Sequence, residues 1–237
     1  MKTVFILAAG SATRFNHVLK QALPYQGEPI IERTIRLVKQ HSPGIKIYLV
    51  TWHDLLKNPG VTVIDTITQP PQLSDTILYT VPYWGDHNVL LLGDVIFSED
   101  AIDKILSCGE GAHIFYKDIC PNKPCSERFA LSFTKSFRET LILLCIKSSK
   151  FFKGTTYEQV GGLVKLCYST YPGYLMDYIA PVNNNNPLSH VRDFMIFHVL
   201  PMWRMGPVFK FILIEDHITT DIDTEEEYEK LCWREKR

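Results

Sequence analysis

The stretch Leu7-Ala8-Ala9-Gly10-Ser11-Ala12-Thr13-Arg14 ends an apolar run in small residues, two hydroxyls and a guanidinium. That combination suits an anion. Small side chains let backbone N–H groups approach a phosphate closely, and successive amides in such a turn form a concavity that attracts negative charge. Arg14 adds a permanent charge whose planar fork matches phosphate oxygens. The same letters also describe a tight strand-to-loop turn followed by a solvated arginine, and the stretch alone does not separate the two. Covalent catalysis has little to stand on, because the chain shows no Ser/His/Asp or Cys/His arrangement. Cys120-Pro-Asn-Lys-Pro-Cys125 resembles half a zinc site, but no second pair with ligand spacing accompanies it.

Such a loop needs a strand to carry it. Val4 to Ala8 is a short, wholly apolar run, the pattern of a buried parallel strand. Pro29 opens a helical pattern with Ile30, Ile31, Thr34, Ile35, Leu37 and Val38 on one face, stopped by Ser42-Pro43-Gly44. Strands are expected at Lys46 to Thr51, Val61 to Ile64 and Asn88 to Leu92, with helices at Asp75 to Val81 and Glu99 to Leu106. This alternation predicts an α/β fold with a Rossmann-like mixed, mostly parallel sheet covered by helices on both faces. After residue 112 the rhythm changes. His113 to Tyr116, Phe129 to Thr134, Thr140 to Ile146 and Leu163 to Tyr168 read as strands without long helices between them. Tyr174 to Ile179 reads as a helix, Val182 to Pro187 as a loop, Phe209 to Ile214 as a late strand and Thr224 to Trp233 as a closing helix. The expected organisation is one domain: a Rossmann-like half at 1–111, an antiparallel, partner-specific part at 112–208, and a closing strand and helix at 209–237.

Composition narrows the partners. The 237 residues are 46% hydrophobic and 22% charged, with a formal net charge of −1. A duplex binder usually carries a basic excess, so polymeric nucleic acid is not expected as a partner. No apolar run approaches the roughly 18 to 20 residues of a membrane span, so no membrane is expected either. The six scattered cysteines and the lack of a signal-peptide pattern make a reducing, cytoplasmic setting the default.

Lys20 follows in Leu19-Lys20-Gln-Ala-Leu23-Pro24, and then Gly27-Glu28-Pro29-Ile30-Ile31. This order resembles the nucleotidyltransferase superfamily of sugar-nucleotide pyrophosphorylases, cytidylyltransferases and molybdenum-cofactor guanylyltransferases. Its pattern reads L-A-A/G-G-x-G-[ST]-R, then [P]-K-x-L, then G-[KE]-P-[LI]-[LI]. Ala12 replaces the second glycine, and Leu19 replaces a frequent proline. The resemblance implies that Leu7, Ala8, Ala9, Gly10, Ser11, Ala12 and Thr13 bind the nucleotide's triphosphate. Arg14 and Lys20 would then stabilise charge on the α-phosphate and on departing pyrophosphate. It also implies a base-reading segment at Gln69-Pro-Pro-Gln72-Leu-Ser74, although Ser74 equally reads as a helix cap.

Two carboxylates complete the implied site. Leu90-Leu-Leu-Gly93-Asp94 resembles the family's strand-end Gly-Asp, whose carboxylate holds Mg²⁺, a cation of hard oxygen ligands. The alternative for Asp94 is a cap on the following helix. Asp221-Ile-Asp223-Thr224-Glu-Glu-Glu227-Tyr228 resembles the family's second metal segment, with Asp223 as ligand, while Thr224 and Glu227 form a capping-box pattern that gives Asp223 a structural alternative. If the late strand joins the sheet, both aspartates reach the same crevice. The implied activity is Mg²⁺-dependent transfer of a nucleotide from an NTP, CTP before the others, to a phosphorylated small-molecule acceptor. A nucleotide-sugar glycosyltransferase and a silent nucleotide-binding module are the alternatives. In the expected site Lys20 is an exposed pocket lysine, dispensable for stability.

Overall fold

The computed structural model describes residues 2–10, 18–57, 60–68, 73–118, 126–142, 145–146, 209–216, 218–222 and 224–234. The strand-like segment at 163–168, the helix at 174–179 and the loop at 182–187 lie outside them. β1 (Lys2–Leu7) is buried from Thr3 onward, as its unbroken apolar run requires of a strand covered on both faces. It sits between β4 (Lys46–Thr51) and β6 (His87–Leu92), parallel to both. β5 (Thr62–Asp65) extends the sheet beyond β4. On the other side come β9 (Ser126–Thr134), antiparallel to both β6 and β8 (Ala112–Asp118), and then β10 (Phe209–Leu213), parallel to β8 at the edge. The order is therefore β10-β8-β9-β6-β1-β4-β5, a mixed, mostly parallel seven-stranded sheet of α/β type.

Alternation along β1 divides two cores. Val4, Ile6 and Ala8 face α1 (Ile30–His41) and α3 (Glu99–Ser107), meeting Ile31, Ile35, Ile102 and Ile105. Phe5 and Leu7 face α2 (Leu73–Thr80) and meet Ile77, Trp84 and Leu131. The chain leaves β1 through α1 toward β4, then crosses back to β6 on the other side. Between the carboxyl ends of β1 and β6 the connections diverge, which opens the crevice where doubly wound sheets bind ligands.

Two readings are corrected. Residues 138–142 and 145–146 are helical, not a strand. Leu141 and Cys145, four apart, both enter the α2-side core, a helical spacing that a uniformly apolar run does not display on its own. The late strand β10 does join the sheet, but at the far edge beside β8, four places from β1 in the strand order. The two-residue strand β11 (Thr220–Asp221) carries the C-terminal segment to the site instead. It pairs antiparallel with β7 (Val95–Ile96), setting Asp221 opposite Val95.

Candidate active site

At the end of β1 the ladder runs one residue past the strand. Ala8 N donates to Val50 O at 2.9 Å, and Gly93 N donates to Leu7 O at 2.9 Å. A Cβ on Gly93 would stand 2.9 Å from both Ala8 Cβ and Leu7 O, so only glycine lets the two strand ends approach this closely. Gly10 is different. A Cβ there would meet nothing within 4 Å, so space beside the loop is open. Leu7, Ala8 and Ala9 are buried, and the chain becomes exposed at Gly10. Ser11, Ala12, Thr13 and Arg14 lie outside the described residues.

Asp94 occupies the turn between β6 and β7, half-buried and directly after the Gly93 contact. It does not cap the following helix. Ser98 does so, its Oγ accepting from Ala101 N at 3.0 Å. Asp223 lies outside the described residues. The two residues before it are fixed: Asp221 pairs with Val95, adjacent to Asp94, and Ile222 is fully buried. Thr224 and Glu227 form the expected capping box on α4 (Glu225–Arg234). Thr224 N donates to Glu227 Oε2 at 2.9 Å, and Glu227 N to Thr224 Oγ1 at 3.3 Å.

Lys20 opens a single 3-10 turn, Lys20–Ala22, packed between α1 and the turn Asp54–Leu56. Its exposure is 5%, so the expectation of an exposed pocket lysine fails. The turn leads into a hairpin of β2 (Pro24–Tyr25) and β3 (Glu28–Pro29). The two linking residues, Gln26 and Gly27, have φ of 54° and 85°, the type I′ signature, so Gly27 serves backbone geometry. A satellite core of Tyr25, Ile30, Ile96 and Ile222, flanked by Leu23, Tyr228 and Leu231, lies beneath these pieces. Tyr228 donates its hydroxyl to Pro24 O, and Arg33 donates to Phe97 O while stacking 5.4 Å over the Tyr25 ring. One small apolar cluster thus positions the Lys20 segment, the Asp94 turn and the chain around Asp223.

Ser74 lies inside α2, buried, rather than ahead of it as a cap. Gln69 lies outside the described residues. The segment approaching it bends sharply. Thr68 N donates to Thr66 O at 2.6 Å around Ile67, whose φ is +63° and whose exposure is 84%. That γ-turn is a strained conformation for a β-branched residue. An apolar hollow of about 30 Å³ bounded by Leu7, Ile77, Leu90 and Leu131 has too few polar partners to hold a water.

Sequence reasoning missed two features. Thr51, the last residue of β4, and Trp52 and His53 directly after it bond the carbonyls of Ala8, Ala9 and Gly10. A polar and aromatic trio at a strand's carboxyl end was the available signal. Asp216 is the second. Its carboxylate accepts from Ser98 Oγ and Thr219 Oγ1, each at 2.8 Å, and from Ile218 N and Thr219 N. Burial pushes that carboxyl up, but the bonds from Thr219, Ser98 and Ile218 outweigh it and hold it below the usual carboxylate range. The network fastens the segment before β11 to the start of α3.

Comparison with known proteins agrees with this geometry. Residues 4–140, more than half of the chain, match the MobA-like NTP transferase domain, and the chain belongs to that family. The match runs through the Asp94 turn into the antiparallel strands and ends before the segment holding Asp223. No curated protein matches the chain in sequence. Among solved structures, a nucleotidyl transferase from Methanothermobacter thermautotroptrophicus superposes with a TM-score of 0.62 at 14% identity, covering 99% of this chain and 97% of that one. CTP:phosphocholine cytidylyltransferase from Streptococcus pneumoniae gives 0.55 at 14% identity, covering 98% of each. Rv0371c from Mycobacterium tuberculosis, in a complex with manganese, gives 0.55 at 15% identity, covering 98% of each. At these identities the likeness is one of fold.

Proposed function

We propose that the protein transfers a nucleoside monophosphate from an NTP to a phosphorylated small-molecule acceptor. The observation that carries this reading is the meeting, at one switch point, of the open Ala8–Gly10 turn and the Asp94 carboxylate within a chain of the NTP transferase family. An acceptor phosphate oxygen attacks the α-phosphorus in line, the bond from that phosphorus to the β-phosphate oxygen breaks, and pyrophosphate leaves. No protein nucleophile takes part. Catalysis of this kind rests on positioning and charge neutralisation. Arg14 and Lys20 take the growing charge on the α-phosphate and leaving group, and the amides of Ala9 and Gly10 cradle the phosphates.

Asp94 and Asp223 are the residues that would hold a divalent cation. The donor set fits one, since carboxylate oxygens suit Mg²⁺ or Mn²⁺. Among the described residues no group of three or more His, Cys, Asp or Glu could cage an ion, so phosphate oxygens would supply the remaining ligands. When bound, the cation neutralises phosphate charge. Asp94→Asn therefore raises the Mg²⁺ concentration needed for half-maximal activity.

CTP is the first nucleotide to test, because Asp221-Ile-Asp223-Thr224 resembles the cytidylyltransferase ending and one structural neighbour acts with CTP. The acceptor pocket is assigned to residues 112–208, and Gln69 and Ser74 to the base side. The decisive assay measures pyrophosphate released with Mg²⁺, each NTP, and a panel of phosphorylated sugars and alcohols. Release with one pairing supports the reading. Calorimetry that finds UDP-sugar binding and no NTP binding overturns it in favour of glycosyl transfer.

A further inference from the structure

Three consecutive side chains capture three consecutive carbonyls across the β1–β4 border. Thr51 Oγ1 donates to Ala8 O at 3.0 Å, Trp52 Nε1 to Ala9 O at 3.1 Å, and His53 Nε2 to Gly10 O at 2.8 Å. A carbonyl only accepts, so His53 carries its proton on Nε2. The trio is itself braced. His53 N donates back to Thr51 Oγ1 at 3.1 Å, and the Trp52 and His53 rings pack with centroids 4.1 Å apart.

The consequence lies in the opposite direction. In a trans peptide the N–H points away from the C=O of the same unit. Drawing Ala8 O and Ala9 O toward β4 turns the N–H groups of Ala9 and Gly10 away from it, toward the β6 side where Gly93 and Asp94 stand. Side-chain donors at the end of β4 thereby convert the end of β1 into a row of main-chain donors facing away from β4. Without them, the carbonyls of a loop with open space beside it have no partner to hold their orientation, and the amides rotate with them.

We infer that Thr51, Trp52 and His53 are positioning residues that preform an anion-binding row at Ala9 and Gly10, specific for the phosphate portion of the nucleotide and blind to its base. This rests on the nucleotidyltransferase reading. Trp52 and His53 act through the loop, not as an aromatic wall against the base.

The test is calorimetric titration of the full chain with Mg²⁺-pyrophosphate and with each NTP, for wild type, Trp52→Phe, His53→Ala and His53→Gln, with melting temperatures recorded alongside. Trp52→Phe and His53→Ala are expected to weaken pyrophosphate and the best-bound NTP by the same factor, about tenfold for one hydrogen bond lost from the loop. His53→Gln, which still presents a side-chain N–H, stays within about threefold of wild type. Loss of NTP affinity with pyrophosphate affinity intact overturns the inference and makes the pair a base contact. Unchanged affinity for both ligands overturns it as well. A wild-type protein that binds neither ligand overturns the nucleotide reading itself, and the anion site with it.

Discussion

The two ends of the central sheet treat their polar groups in opposite ways. At the carboxyl end, side chains of β4 bond backbone carbonyls of the β1 loop, and the space beside Gly10 is open. At the amino end, the side chains of Lys2 and His87 are satisfied inside the fold. Lys2 Nζ donates to Leu106 O and Cys108 O, and His87 shares a 2.8 Å hydrogen bond with Ser132 Oγ. His113 is buried in the same row, beside Ser132 on β9 and Lys210 on β10. Burial holds His87 down to about 4, with Lys2 adding to the effect, and burial likewise lowers His113. One end is closed and stabilises the protein through neutral histidines. The other leaves open space beside its loop.

The largest break in this contrast is expected at Lys20. Lys20→Met keeps the buried stem and removes the charge, so turnover falls about a hundredfold, the scale of one strong transition-state donor, while melting changes little. Lys20→Ala, which also leaves a hole, lowers the melting temperature as well. A Lys20→Met protein with wild-type turnover would remove Lys20 from the chemistry.

Next come the two glycines. Gly93→Ala forces Leu7–Ala8 and the β6 end apart, at about 1–3 kcal/mol in chemical denaturation. Gly10→Ala stays within about 0.5 kcal/mol because its methyl enters open space. Equal costs would show that the crevice is packed in the folded protein.

Acid sharpens the contrast from the other end. The folded-state value of His87 lies below its ordinary 6.5, so the unfolded chain binds more protons between about 4 and 6.5. Stability from this group is complete above pH 6.5 and is lost as pH falls toward 4, with His113 acting in the same direction. Melting temperatures recorded from pH 7.5 to 4.5 should drop, and His87→Gln should flatten the drop. The smallest effect concerns the rim. Ile67→Gly relieves a left-handed β-branched residue and should stabilise by about 1 kcal/mol.

Features that depend on neighbours in sequence were legible. The Thr224–Glu227 capping box, the Gly-Asp turn after a buried strand and the helix behind Pro29 are all local. Features that depend on packing were not. The burial of Lys20 follows from α1 and the Asp54–Leu56 turn closing over it, and a lysine's letter does not carry that. The Thr51–His53 trio has meaning only once β4 lies beside β1. Phe209–Leu213 was legible as a strand, but its place at the sheet edge was not. The strand that does reach the site, Thr220–Asp221, is two residues long and too short to show a period.

The pairing of β11 with β7 joins positions more than a hundred residues apart, and Ile222 seats its side chain in the satellite core only after that pairing. Closing so long a loop carries an entropic cost that nearby contacts in the sheet do not. Assembly therefore has an order: β1, α1 and β4 can associate early, while the ground under Lys20 and the Asp94 turn is completed last. During synthesis, β11 and Ile222 emerge after every strand of the seven-stranded sheet, so among the described residues the satellite core is the last of the three cores to receive all its members.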